Sequence, residues 1–164
     1  MCNLYSMTAT VDELRRLFGP FDGDTANLPR LDEIYPGHAA PVLRRVGDGG
    51  LKLERMTWGF PGPAAAGGRP VTKRKAKVWF GLHQDAHPLF AFAGIWRPGS
   101  KDGEGPFMAF LTCAANEIVG AVHPKAMPVM LRPGADVDRW LSAERPDACA
   151  LAVPFADADM RRMD

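Results

Sequence analysis

The residue with the most distinctive potential chemistry is Cys2, which follows the first methionine. If Met1 is removed, Cys2 carries a free α-amine and a thiol on adjacent carbons. The α-amine has a reference pKa of about 7.7–8.0, so part of it is unprotonated at neutral pH and can condense with an aldehyde. The thiol can then close a five-membered thiazolidine ring, an intramolecular step that is strongly favoured. An exposed N-terminal cysteine is therefore suited to trapping aldehydes, although most cysteines at this position have no such role.

Length and composition indicate one globular domain over residues 1–164. The chain has 46% hydrophobic and 24% charged residues, which is typical of such domains. Its net charge of +1 excludes a strong overall field, so a nucleic-acid partner would need a local patch. The three cysteines and four histidines have no zinc-site spacing, and we expect neither metal, cofactor nor disulfide framework. No signal peptide or membrane span is recognisable, which favours a cytoplasmic protein.

Capping signals and hydrophobic periodicity predict short helices. Thr10 and Glu13 have the spacing of a capping box, and they begin a helix that Gly19 and Pro20 end. Two further short helices are predicted, at Ala114–Val122 and Val137–Leu141. These helices are too short and too dispersed to form the core by themselves, so we expect them at the periphery.

Several short strands are predicted between the helices. Leu51–Glu54 alternates as a half-buried strand does, and Gly47–Gly50 before it is typical of a hairpin turn. Two continuous apolar runs, Leu89–Trp96 and Phe107–Cys113, predict buried central strands, whereas Phe21–Ile34 is predicted as turn-rich. Other strand segments are predicted at Cys2–Ser6, Pro41–Leu43, Val78–Phe80 and Met127–Leu131. The pattern predicts an α+β fold with a compact, barrel-like, mostly antiparallel sheet and short peripheral helices.

Four motifs in order carry a resemblance to a known family. They are Met1-Cys2-Asn3, Trp58-Gly59-Phe60-Pro61, Phe90-Ala91-Phe92-Ala93-Gly94-Ile95-Trp96 and His123-Pro124-Lys125-Ala126-Met127-Pro128-Val129. Together they resemble the SOS response-associated peptidase (SRAP) family over nearly the whole chain. The resemblance implies that the protein removes its own Met1 and binds single-stranded DNA, associating with the nucleoid. The exposed cysteine would then capture the aldehyde of an abasic site as a thiazolidine, which shields the lesion.

The resemblance also implies roles for individual residues. Cys2 is the expected cross-linking nucleophile, and His123 is the expected acid/base residue, because a pKa near 6.5 suits proton transfer at neutral pH. The alternative for His123 is an extended residue before a proline, bound only by backbone. Trp58 could stack on a base or belong to the core.

The remaining candidate DNA contacts are less distinctive. Pro41 and Met127 could contact DNA or, as is commoner for such residues, pack in the core. Lys73 and Arg74 open the dense basic run Lys73–Lys77, which could bind phosphates or cover a solvated strand edge.

The chain departs from the family pattern between Trp58 and Trp96, where it has no asparagine and no glutamate. Relatives normally carry an Asn-x-Arg strand and a Phe-x-Glu segment there, and many have an arginine where this chain has Leu4. We therefore expect a block to be missing near Thr72, with some strands lost and possible self-association through exposed sheet edges. The alternative functions are non-covalent binding of single-stranded DNA and an inactive truncated copy.

Overall fold

The computed structural model describes residues 3–23, 28–47, 49–62, 77–83, 89–99 and 104–163. The described residues form two compact units. The N-terminal unit contains the described residues up to 62 together with 94–99 and 104–109, and the C-terminal unit contains 77–83, 89–93 and 110–163. Both combine helices or short turns with strands, which confirms the predicted α+β class. The single-domain organisation over residues 1–164 stays a prediction.

The N-terminal unit contains one helix and most of the longer strands. Its elements are β1 (Tyr5–Met7), α1 (Val11–Phe18), β2 (Asp22–Gly23), β3 (Leu31–Ile34), β4 (Ala39–Arg45), β5 (Leu51–Trp58), β8 (Gly94–Arg97) and β9 (Phe107–Phe110), whose last residue belongs to the other unit. Strands β2, β5, β9 and β8 are neighbours in this order, and β4 pairs with β5. Strands β1 and β3 form a separate antiparallel pair.

Local signals in the sequence determine α1 and the β4–β5 hairpin. The Thr10 side chain accepts a hydrogen bond from the Glu13 amide, and the Glu13 carboxylate accepts one from the Thr10 amide, so the predicted capping box is confirmed. Gly19 ends the helix with a φ of 83°, a conformation that favours glycine. The predicted hairpin is also confirmed, with β4 and β5 antiparallel from Ala39 opposite Thr57 to Arg45 opposite Leu51.

The C-terminal unit consists of short strand pairs and short helices. Its elements are β6 (Trp79–Leu82), β7 (Ala91–Phe92), β10 (Thr112–Cys113), α2 (Glu117–Gly120), β11 (Met127–Pro128), β12 (Met130–Leu131), α3 (Ala135–Ser142), α4 (Arg145–Cys149), a 3-10 turn (Asp157–Asp159) and β13 (Met160–Met163). The antiparallel pairs are β6 with β13, β7 with β12 and β10 with β11. A buried cluster that includes Leu82, Val119, Met127 and Phe155 forms the core of this unit.

Three of the predicted strands are interrupted where they meet. The Ala93 amide donates to the Val129 carbonyl, the Val129 amide to the Leu111 carbonyl, and the Leu111 amide to the Ala93 carbonyl, each at 2.9 Å. This closed ring of hydrogen bonds satisfies backbone groups that are deeply buried, since Ala93 and Val129 are 0% exposed. Each predicted strand changes its pairing partner at the ring and is therefore divided into two short strands. The resulting pairs along the chain are β7 and β8, β9 and β10, and β11 and β12.

Other differences from the predictions follow from tertiary pairing. Residues Leu31–Ile34, predicted as turn-rich, form β3 because β1 offers them a pairing edge. The apolar run Leu89–Trp96 is not buried throughout, since Ile95 is 49% and Trp96 is 43% exposed. Strand β13 and helix α4 have no counterpart among the predicted elements. The predicted Cys2–Ser6 arm is seen only as β1 from Tyr5, and the expected break near Thr72 lies outside the described residues.

Candidate functional site

His123 lies in the C-terminal unit, directly after α2. Its backbone amide donates to the Val119 carbonyl at 2.8 Å, and the Val122 amide shares that acceptor at 3.0 Å. These bonds wind the chain into a tight turn at the end of the helix, which fixes the backbone from which the imidazole projects. The His123 residue is half-buried, so it is held on one side while retaining access from solvent. This is a suitable environment for a group that transfers protons.

Helix α2 is short, and its position depends on the buried side chain of Asn116. The Asn116 carbonyl oxygen accepts the Val119 amide at 2.9 Å, which caps the helix, while its amide nitrogen donates to the Phe155 carbonyl at 2.9 Å. The same nitrogen lies 3.2 Å from the sulfur of Met160. Val119 is thus bonded to both Asn116 and His123, so a continuous hydrogen-bonded path connects the core to the histidine.

The segment that receives Asn116 is itself anchored. Asp157 accepts the backbone amide of Ile118 at 3.3 Å, which adds a second side-chain bond to the start of α2. The Arg132 guanidinium pairs with Asp159 and lies 4.3 Å from the centre of the Phe155 ring. A helix of four residues gains little stability from its own backbone bonds, so these outside contacts determine where it sits.

Asn116 is the residue of this site that the sequence analysis missed. At 8% exposure it is the one buried polar residue among the described positions. The sequence contains a signal for the capping role of Asn116, because asparagine directly before a helical run is a favoured N-cap. Its amide donors are committed to Phe155 and Met160, so it does not replace the asparagine that the family normally has between Trp58 and Trp96.

Met127 lies in the core of the C-terminal unit at 1% exposure. It pairs with Cys113 across β10 and β11, and the Cys113 sulfur lies 3.9 Å from the Met127 carbonyl oxygen. Burial raises the pKa of the Cys113 thiol, which disfavours the reactive thiolate. Contact between Met127 and DNA would require this core to open.

Trp58 and Pro41 both lie in the N-terminal unit, on adjacent strands. Trp58 is 6% exposed and packs edge-on against Tyr5, with 5.1 Å between the ring centres. Its amide donates to the His38 carbonyl at 2.9 Å. Pro41 is half-buried opposite Arg55. Stacking of Trp58 on a base would therefore need the ring to leave its present packing, whereas Pro41 is partly accessible as it stands.

The other predicted site residues, Cys2, Lys73 and Arg74, lie outside the described residues. Within the described parts of the chain, no cluster of three or more histidine, cysteine, aspartate or glutamate residues could hold a metal ion. None of the helices in those parts is long and apolar enough to cross a membrane.

Two solved structures have folds similar to that of this chain. A crystal structure of a protein from Bacteroides thetaiotaomicron is similar with a TM-score of 0.68 and 16% identity, covering 98% of this chain and 90% of that one. A crystal structure of a protein from Bordetella bronchiseptica gives a TM-score of 0.65 and 18% identity, covering 98% of each chain. At these identities the likeness shows the fold alone.

The sequence comparisons show the family. A search of curated proteins gave no match. The family model described as SOS response associated peptidase (SRAP) matches residues 70–163, more than half of the chain, and this range includes His123, Met127 and Asn116. The chain therefore belongs to the SRAP family, and its function is related to the response to DNA damage.

Proposed function

We propose that this protein binds single-stranded DNA and cross-links abasic sites through Cys2 after removal of its own Met1. The observation that carries the proposal is the His123-Pro124-x-x-Met127-Pro128 motif, which lies inside the matched family range and follows the capped helix α2. A protein with this role acts where DNA is exposed, so we expect it at the nucleoid. The partner that this chemistry requires is an aldehyde on an unpaired nucleotide.

The covalent step balances without a cofactor. The α-amine of Cys2 adds to the aldehyde carbon, and loss of water leaves an imine. The Cys2 sulfur then forms a bond to the imine carbon as the carbon–nitrogen π bond breaks, and the thiol proton ends on nitrogen. The overall change is one protein and one aldehyde converted to a thiazolidine and one water. Ring closure is favoured because both reacting groups belong to one residue.

His123 is suited to the proton transfers in this sequence. Dehydration of the carbinolamine needs an acid, and attack by sulfur needs removal of the thiol proton. Histidine is the side chain that most often performs both kinds of proton transfer in enzymes. Such general acid–base catalysis typically contributes about 10²–10⁴-fold to a rate. We therefore assign His123 to proton transfer and Cys2 to bond formation.

Non-covalent binding of single-stranded DNA is the second candidate, and one observation favours it. The stretch between Trp58 and Trp96 has neither asparagine nor glutamate, and the buried Asn116 is fully occupied by structural bonds. A protein that lacks orienting groups for the Cys2 amine could still bind the strand while cross-linking slowly. The two candidates differ in whether the complex survives denaturation.

The experiment is a cross-linking assay on denaturing gels. The wild-type protein is incubated with a single-stranded oligonucleotide that carries one abasic site, and with the intact oligonucleotide as a control. We expect a denaturation-resistant complex only with the abasic strand, no complex for Cys2→Ala, and a slower rate for His123→Gln. Cys149→Ala, which removes an exposed thiol, is the matched control and should behave as wild type. Binding without a denaturation-resistant complex would replace the covalent proposal with the second candidate.

A further inference from the structure

The N-terminal unit carries an exposed tryptophan that the sequence analysis had assigned to a buried strand. Trp96 lies on β8, which is the last strand in the sheet order β2-β5-β9-β8. It is 43% exposed. Ile95 is 49% exposed as well, but consecutive residues of a strand point to opposite faces of the sheet, so it does not extend the same surface. A single exposed apolar residue is ordinary, so the case for a binding surface at Trp96 rests on the groups around its ring.

A fixed cation lies against the Trp96 ring. The Arg44 guanidinium carbon is 4.5 Å from the ring centre, within the range of a cation–π contact. Arg44 is itself held by the Glu54 carboxylate at 2.5 Å, and the second oxygen of that carboxylate binds Lys52 at 2.7 Å. Because these contacts hold the guanidinium in place, the indole is oriented before any ligand arrives, which reduces the entropy lost on binding.

The surrounding strands carry a local positive charge. In the register of β4 and β5, the face that contacts Trp96 carries two basic residues, Arg44 and Lys52, and one acidic residue, Glu54. Arg45 and Arg55 add positive charge to the same strands, on the opposite face of the sheet. On β8 itself, the Arg97 guanidinium lies 5.0 Å from the centre of the Phe107 ring. Positive charge interleaved with aromatic rings is complementary to a nucleic-acid strand, whose phosphates are negative and whose bases stack on aromatic faces.

We propose that Trp96, backed by Arg44, is a stacking platform for an unpaired base of single-stranded DNA. The inference rests on the proposed function and extends it with a binding site separate from the cross-linking residue. Duplex DNA is excluded as the preferred ligand because its bases are already stacked on each other. The platform would hold the strand by a nucleotide other than the abasic one, since an abasic nucleotide has no base to stack.

The test is a non-covalent binding measurement with an intact thymidine oligonucleotide at one low salt concentration. We expect Trp96→Ala to bind about 5- to 150-fold more weakly, the range for loss of one base–aromatic stack. Trp96→Phe should retain most of the affinity, and Ile95→Ala, the adjacent exposed residue, should bind as wild type. Thermal unfolding of each variant checks that it is folded.

Fluorescence adds a readout that a merely structural role would not change. Trp140 lies on α3 in the C-terminal unit and serves as the control. Oligonucleotide binding should quench tryptophan emission in wild type and in Trp140→Phe, but much less in Trp96→Phe. Equal affinity of wild type and a folded Trp96→Ala would overturn the inference, as would self-association of the wild type through β8 without any effect of Trp96 on DNA binding. Absence of DNA binding by wild type would overturn both proposals, whereas Trp96-dependent binding without cross-linking would leave the platform standing and refute only the covalent step.

Discussion

Substitution of Asn116 by alanine should destabilise the protein more than any other single change at a helix cap. The change removes the acceptor for the Val119 amide, and loss of an N-cap costs about 0.5–2 kcal/mol. It also leaves the Phe155 carbonyl without its donor in a buried environment, which costs about 1–3 kcal/mol. Together we expect a loss of about 2–4 kcal/mol in the free energy of unfolding. For a chain of this length the melting temperature should fall by about 5–15 °C.

Urea denaturation with matched variants tests this reasoning. Asn116→Ser keeps a capping oxygen but cannot reach Phe155, so it should recover roughly the 1 kcal/mol that belongs to the cap. Thr10→Ala removes the exposed cap of α1 in the other unit and should cost only about 1 kcal/mol. Asn116→Ala should also slow the cross-linking through Cys2 that His123 is proposed to assist, and Thr10→Ala should not. A loss below about 0.5 kcal/mol for Asn116→Ala, the range of ordinary surface changes, would refute the assigned role.

Three further outcomes are expected. Arg44 and, to a lesser extent, Lys52 lower the pKa of Glu54. The stabilisation from this carboxylate is therefore present above its ordinary pKa and is lost as the pH falls through the lowered pKa. Glu54→Gln should cost about 0.5–1 kcal/mol of unfolding free energy at pH 7 and progressively less in acid, which denaturation at a series of pH values measures. Gly23→Ala should be much more destabilising than Gly19→Ala, although both glycines have a positive φ. A Cβ on Gly23 would lie 2.1 Å from a backbone oxygen, whereas a Cβ on Gly19 would have no atom within 4 Å. The melting temperatures of the two variants provide the comparison. Cys113, whose pKa burial raises, should react with iodoacetamide more slowly than the exposed Cys149, as measured by mass spectrometry of labelled peptides; equal rates would contradict the described burial.

Features determined by neighbouring residues could be predicted from the sequence. The capping box at Thr10 and Glu13 and the hairpin around Gly47–Gly50 depend on contacts within a few residues, and the structure has both. The α+β class followed from the mixture of short strands and helices. The residue types within each of these elements are enough to predict it, so no knowledge of its tertiary contacts was needed.

Features that depend on distant partners could not be predicted. The apolar runs through Ala93 and Leu111 were expected as continuous strands, but each changes its partner at the three-way ring of hydrogen bonds, which no local pattern encodes. Trp58 and Trp96 both lie near the end of a strand, yet one is buried against Tyr5 and the other is exposed beside Arg44. Which tryptophan is accessible depends on partners that are distant in the sequence.

The site was recognised in part. His123 was predicted from its motif, whereas Asn116, which positions the helix before it, was not among the predicted site residues. A buried asparagine whose partner lies 39 residues away cannot be distinguished by sequence from an ordinary exposed one. The structure therefore shows how the backbone around His123 is held, and the chemistry proposed for this residue comes from the motif.

Intact-mass spectrometry of the protein, before and after incubation with abasic single-stranded DNA and without a reducing agent, tests the central claim most directly. The account predicts a protein that lacks the mass of Met1 and then gains the mass of the oligonucleotide less one water, with no such species for Cys2→Ala. A protein that retains Met1 and gains no mass would contradict the account, as would an adduct that persists in Cys2→Ala.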